Sequence, residues 1–210
     1  MRLVALLSSG IDSPVAAYMM AAQGAEVILL HMDNRPFTDD RSIEKVKLIQ
    51  KRLSEEVGRE LPLHIAPHGR NQGVMKASCQ RQYQCVLCKR LMIRVATGLA
   101  KRLGAEAIVM GDSLGQVASQ TLRNIGSEYH GLDFPVLRPL IGLDKLEIEA
   151  IAKRIGTYEI SIMPEPPCGV VPIKPATMAR IEVVEKEERK ADLGSLVEFA
   201  LEGVVEVRDL

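Results

Sequence analysis

Net charge is the first thing this chain lacks: 27 Lys and Arg balance 27 Asp and Glu over 210 residues. A zero average excludes a protein that coats nucleic acid or a membrane surface with its whole exterior. Long apolar runs are also missing. No stretch reaches about 18 residues without a Gln, a Gly or a charge, so no membrane-spanning helix is expected. The chain opens directly into an apolar strand, with no secretory leader ahead of it, which points to a cytoplasmic protein. Four cysteines are too few for a disulfide scaffold and suit metal binding or catalysis instead. Internal repeats and low-complexity linkers are absent. Acid is missing from one region: residues 61–105 hold eight Lys or Arg and no Asp or Glu, whereas from 181 onward acids outnumber bases nine to four. A basic middle suits contact with polyphosphate or RNA, the alternative being a set of solvated helix faces.

What is present reads as strand, helix, strand, repeated. The apolar residues 3–7 break into Ser8, Ser9, Gly10, Ile11, Asp12 and Ser13, and a helical pattern follows at once, with Pro14 placed at its first position and Ser13 as N-cap. Backbone N–H groups and the positive end of a helix dipole converge at such a turn, and short side chains let a phosphate approach. Ser, Gly and Asp also favour ordinary turns. Asp12 favours the cradle, because a divalent cation would bridge its carboxylate to a phosphate.

Further strands are expected at 26–32, 61–66, 107–110 and within 134–140. Helices are expected at 42–57, where Ile43, Val46, Ile49 and Leu53 share a face, and at 86–103, with Leu87, Leu91, Val95 and Leu99. Residues 67–84 read as a long basic loop and 117–125 as a short helix. Asp144 to Glu147 forms an acidic capping box, and Gly156 closes the helix it opens. Continuous apolar strands alternating with helices predict an α/β fold: a five-stranded parallel sheet with helices on both faces over residues 1–173, and a helical extension over 174–210. Ligands of such sheets sit beyond the carboxyl ends of the strands. Residues 8–13, His31, Gly111 and the loop after Met163 all fall there.

The turn resembles the Ser-Gly-Gly-x-Asp-Ser loop of the PP-loop ATPases, an adenine nucleotide alpha hydrolase-like fold, with Ser9 in place of the first Gly. The run from Gly111 to Leu122, the segments SPVAAY and RPLIGLDKLEIEAIAKRIGTYEISI, and MPEPPCGVVPIKPATMA together resemble the ATPase domain of tRNA 4-thiouridine synthetase, over roughly residues 2–191. The resemblance implies an ATP-dependent sulfurtransferase that adenylates a uridine carbonyl, releases pyrophosphate and replaces the oxygen with sulfur. It implies that Leu6, Leu7, Ser8, Ser9, Gly10, Ile11, Asp12 and Ser13, with His31, Met32, Lys89, Gly111 and Gln120, hold ATP and Mg2+. Lys145 matches a lysine needed for activity and Cys168 the sulfur-handling cysteine, so Asp12, Lys145 and Cys168 are the expected catalytic residues. A thiol in a loop near a cationic site can have a lowered pKa.

Cys85 and Cys88 form a CxxC at a helix start, where the dipole favours thiolates. With Cys168 they are the expected ligands of an iron–sulfur cluster, as in archaeal-type members. A Cys85–Cys88 redox disulfide, a zinc site that includes Cys79, and structural thiols are the alternatives. The family's RNA-binding THUMP and rhodanese modules are not expected within this chain. Contact with tRNA would then come from the basic stretch 70–102, a separate RNA-binding partner or a homodimer, and sulfur from sulfide or a persulfide carrier. A PP-loop enzyme with a non-tRNA substrate, one transferring nitrogen, and a non-catalytic nucleotide or iron–sulfur sensor are the competing functions.

Overall fold

Successive side chains of a strand point to opposite faces, and here both faces are apolar. In the computed structural model, which describes residues 1–116 and 118–207, β1 (Arg2–Leu6) sends Leu3 and Ala5 into one core and Val4 and Leu6 into another. Its neighbour β2 (Glu26–Asp33) does the same with Val27 and Leu29 against Ile28 and Leu30. Each fully buried leucine of this kind contributes roughly 1.5–3 kcal/mol. A sheet with two apolar faces needs helices on both. α1 (Asp12–Ala22), α2 (Asp40–Val57), α6 (Lys145–Arg154) and α7 (Tyr158–Ser161) cover the first core. α3 (Gly69–Ser78), α4 (Gln84–Arg102), α8 (Ile181–Ala191) and α9 (Leu193–Glu202) cover the second, and α5 (Leu122–Tyr129) packs on α4.

The sheet order is β5-β4-β1-β2-β3-β6, with β3 (Leu63–Pro67), β4 (Ala107–Val109), β5 (Val136–Leu137) and β6 (Val205–Glu206). The first five strands are parallel, in agreement with the sequence reading. The sixth corrects it: β6 lies antiparallel on β3, His64 opposite Glu206. Two exposed residues carry no apolar alternation, so nothing in their composition marks a strand. From β1 the chain winds outward through β2 and β3, then crosses back to place β4 on the other side of β1. The gap between the carboxyl ends of β1 and β4 is therefore the switch point at which such sheets bind ligands.

Two further corrections concern residues 67–84 and 117–125. The first is not a loop: α3 fills most of it, followed by a 3-10 turn at Arg81–Tyr83. α3 escaped notice because its inward residues are Gly69, Asn71, Gln72 and Met75, which show no apolar period. Gly69 is required there, since a Cβ would lie 1.7 Å from the Arg35 carbonyl oxygen. In the second, a 3-10 turn at Ala118–Gln120 precedes α5, which starts later and runs further than expected; Val117 lies outside the described residues. The capping box of Asp144 and Glu147 is present, and Gly24, Gly104 and Gly156 follow their helices with positive φ. No helix among the described residues is long and apolar enough to cross a membrane.

The charge asymmetry of the sequence is resolved in part inside the molecule. Arg90 of α4, 2% exposed, makes a bidentate pair with Glu188 of α8, both bonds 2.8 Å, and Arg94 reaches the same carboxylate at 2.7 Å. Glu187 accepts from the Gln80 backbone and side chain at 2.8 and 2.9 Å. Lys89 pairs with Asp112, and Arg102 donates to the Leu201 carbonyl. The basic stretch and the acidic tail are thus partly each other's counter-ions.

Candidate active site

The carboxyl end of β1 runs straight into α1, and the turn between them is laced by its own hydroxyls. The Ser8 N–H donates to Ser13 Oγ at 2.8 Å, the two serine hydroxyls lie 2.9 Å apart, and the Gly10 N–H donates to Ser8 Oγ at 3.3 Å. α1 begins at Asp12, with Ile11 as its N-cap and no capping side chain. Ser13 is therefore inside the first turn, and Pro14 follows it instead of opening the helix. Pro is tolerated there because first-turn N–H groups have no acceptor within the helix. Ser13 closes the loop in place of capping the helix.

Gly111, at the end of β4, meets this turn across the switch point. A Cβ on Gly111 would lie 2.7 Å from Ser13 Cα and 2.8 Å from Ser13 N, so only glycine lets the two segments touch. Beneath them is a cavity of about 580 Å3. Residues 6–13, His31, Met32, Lys89, Gly111 and Gln120 all line it, as does Cys168. Every residue expected at the nucleotide is therefore on one wall or another. His31 Nδ1 donates to the Leu7 carbonyl at 2.9 Å, and burial lowers its pKa. Lys145, at the first position of α6, reaches Asp12 Oδ1 at 2.7 Å across 133 positions of sequence.

Several polar residues at this site were not singled out from the sequence. Asp112 is buried on the cavity wall and holds two cations, Lys89 Nζ at 2.8 Å and Arg138 Nε at 3.1 Å. Its place directly after Gly111 was the one available signal. Glu165 also lines the cavity and is paired with the buried Lys45 at 3.2 Å. A lysine among the apolar positions of α2 gave no warning of this. Behind Lys89 stands Glu128, whose carboxylate is fully buried with no hydrogen bond to either oxygen. The Lys89 ammonium is 3.8 Å from it, near enough to attract but too far to bond.

Burial, helped by the nearby Asp112 charge and opposed by Lys89 and Arg138, pushes the Glu128 pKa up to about 8. An acid whose folded pKa is raised stabilises the fold fully below its unfolded pKa, and that contribution is lost as pH rises towards 8. The slope is roughly 1.4 kcal/mol per pH unit while the unfolded chain alone is ionised. Glu128→Gln should therefore flatten the fall in thermal stability between pH 5 and 8. It should raise the midpoint at pH 8 by roughly 2–4 °C for each kcal/mol recovered, with little change at pH 5. Parallel melting profiles of the two proteins across that range would refute the assignment.

The cysteines divide. Cys79 is buried and its thiol donates to the Glu187 carbonyl at 3.3 Å, an interior packing role. Cys85, Cys88 and Cys168 stand within electrostatic reach of one another, and of the three only Cys168 lines the cavity. The expectation that the helix start would favour thiolates at Cys85 and Cys88 is corrected here: burial pushes both thiols up, Cys88 further. Cys88 Sγ is hydrogen-bonded to Gln72 Nε2 at 3.0 Å and His68 Nε2 at 3.2 Å. Among the described residues no three His, Cys, Asp or Glu side chains are set closely enough to hold a metal ion. The three thiols as placed are therefore neighbours and not yet a ligand set.

The chain resembles known proteins in both sequence and structure. It is 47% identical over 193 residues to a probable tRNA sulfurtransferase of Methanothermobacter thermautotrophicus, covering 91% of this chain and 50% of the relative. It is 46% identical over 202 residues to one of Thermus thermophilus, covering 95% and 50%. The chain thus spans about half the length of these relatives. Among solved structures, a 4-thiouridine synthetase in complex with RNA and with bound ATP superposes with a TM-score of 0.92 at 39% identity, covering 99% of this chain and 55% of that one. A tRNA thiolase, NcsA of Methanococcus maripaludis, shares the fold at a TM-score of 0.54 and 16% identity, covering 96% and 73%. The family model described as thiamine biosynthesis protein (ThiI) matches residues 1–193, and the chain belongs to that family.

Proposed function

We propose that this domain binds ATP and Mg2+ in the cavity between β1 and β4, adenylates a carbonyl oxygen of a tRNA uridine with release of pyrophosphate, and promotes replacement of that oxygen by sulfur. One observation carries the reading: a single cavity is lined both by the hydroxyl-laced loop and by Cys168. Phosphoryl and nucleotidyl transfer need positioning and charge stabilisation more than covalent help. The first-turn N–H groups of α1 would face the phosphates, Asp12 would hold the divalent cation, and Lys145 would neutralise charge developing on the departing pyrophosphate. The uridine oxygen attacks the α-phosphorus and the bond to the β-phosphate oxygen breaks. A persulfide sulfur carried on Cys168 then attacks the activated carbon, and AMP leaves with the original oxygen. An external thiol attacks the Cys168 sulfur, breaking the S–S bond to leave the thionucleoside and a mixed disulfide.

The thiols beside Cys168 support a second element of this reading, an iron–sulfur cluster on Cys85, Cys88 and Cys168. Because the thiols do not form a metal-sized group as placed, no step is assigned to it. Anaerobic reconstitution followed by iron and labile-sulfide assay checks it, with protein-bound iron lost in Cys88→Ala as the expected result. The relatives' names support tRNA as substrate; in this reading of a cytoplasmic enzyme it is reached through the exposed part of the basic 70–102 stretch, a separate partner or a second copy.

The decisive assay incubates the protein with ATP, Mg2+, a persulfide donor, a thiol reductant and transcribed tRNA, and measures pyrophosphate, AMP and thionucleoside. All three are expected from the parent. Cys168→Ala should still release pyrophosphate, leaving the adenylated tRNA, while AMP and thionucleoside fall together by about 100-fold or more, as for loss of an essential nucleophile. AMP without thionucleoside from the parent would remove tRNA as the substrate. No nucleotide turnover at all would leave only a sensor.

A further inference from the structure

Ser9 stands where the resemblance places a glycine, and its hydroxyl has a specific partner. Ser9 Oγ donates to Glu165 Oε1 at 2.6 Å. The same carboxylate oxygen lies 3.2 Å from Lys45 Nζ, whose side chain is 3% exposed. Lys45 also donates to the carbonyls of Ser161 and Met163, each at 2.9 Å, and Ser161 Oγ donates to the Gly10 carbonyl at 3.3 Å. Two bridges therefore join the loop of residues 8–13 to the segment 161–165, and Cys168 follows three residues later. On its other side Cys168 is tied down by the Gly169 N–H, which donates to the Phe37 carbonyl at 2.9 Å. The sulfur-bearing loop is thus anchored to the proposed phosphate loop at two points, and of these only the Ser9–Glu165 bond carries a charge. The buried Lys45 holds the Glu165 carboxylate in place.

From this geometry we infer that Ser9, Glu165 and Lys45 are positioning residues that couple occupancy of the phosphate loop to the presentation of Cys168. The inference rests on the ATP site proposed above. Its physical basis is a differential interaction. Glu165 lines the cavity, and its second oxygen, Oε2, is buried without a hydrogen-bond partner. A polyphosphate in the cradle sets further negative charge beside that carboxylate, and like charges repel strongly in a partly desolvated site. It also competes for Ser9, the residue that grips Glu165. Either effect loosens the anchor and shifts Cys168. A glycine at position 9 has no hydroxyl and transmits nothing along this route.

The test follows alkylation of Cys168 by iodoacetamide, read by peptide mass, in the full chain with and without Mg2+ and a non-hydrolysable ATP analogue. Calorimetry measures nucleotide binding in the same samples, and Cys79, which is buried, reports loss of the fold. In the parent, nucleotide is expected to change the Cys168 rate by about 5-fold or more, the lower range of ordinary coupling between sites. In Ser9→Gly and in Glu165→Gln that response should shrink to under about 2-fold at saturating nucleotide, with Cys79 still protected. A purely structural role would raise Cys79 labelling and leave the nucleotide response in place. An undiminished response in both variants overturns the inference. So does a parent that binds nucleotide with no change at Cys168, and that result leaves the ATP site standing. A parent that binds no nucleotide overturns the ATP site itself.

Discussion

Asp12→Asn is expected to lower AMP and pyrophosphate formation by about 1,000-fold, the scale seen when a charge that acts on the transition state is removed. The reason is the position of the carboxylate more than its bond to Lys145. Asp12 and Lys145 are 25% and 44% exposed, and a half-exposed ion pair of this kind contributes roughly 0–1 kcal/mol to stability. A structural role would therefore leave both activity and melting temperature nearly unchanged. A catalytic role predicts a separation: a melting temperature within about 2–3 °C of the parent, with turnover almost abolished. Lys145→Met should fall into the same class. If the two groups act on one developing charge, the double variant should be little worse than either single one. Nucleotide turnover within tenfold of the parent in Asp12→Asn would remove the proposed role.

The second large effect is expected at Gly111. Its φ is not positive, so the requirement for glycine there is one of space alone. Gly111→Val would set a side chain against the Ser13 backbone, which cannot yield as the end of a flexible side chain would. The loop must move, and nucleotide affinity should fall by about 100-fold or more, equivalent to roughly 2.7 kcal/mol. Overpacking should also destabilise the fold by about 1–3 kcal/mol. Gly126 in α5 supplies the control, because a Cβ there meets nothing within 4 Å. Gly126→Ala should leave affinity alone and stabilise the helix by about 0.5–1 kcal/mol. Calorimetry and thermal unfolding on both variants separate the outcomes, and equal affinities would show that the switch point is not where nucleotide binds.

Much of the architecture was legible because apolar burial writes itself locally. Strands β1, β2 and β4 are continuous apolar runs, α2 and α4 carry a helical stripe, and Gly24, Gly104 and Gly156 follow helix ends in the left-handed conformation. Where burial is polar or slight, the pattern fails. α3 turns Asn71 and Gln72 inward, and β6 is two exposed residues, so the apolar pattern marks neither element. Of the site, the loop at 8–13 and the strand ends were readable, since turn chemistry and strand termini are local. Asp112, Glu165, Lys45 and Glu128 were not, because a buried charge has no period and acquires meaning only from its partner.

By itself, then, the sequence determined a two-faced parallel sheet, a hydroxyl-rich turn after the first strand, and the family to which both belong. Only the tertiary structure decided that Gly111 touches Ser13, that Lys145 reaches Asp12, that Ser9 grips Glu165, and that Arg90 and Arg94 of the basic middle pair with Glu188 of α8. The reason is physical. Short-range preference sets the backbone of each element, whereas contacts between residues far apart in the chain exist only once the sheet has brought its strand ends to one edge.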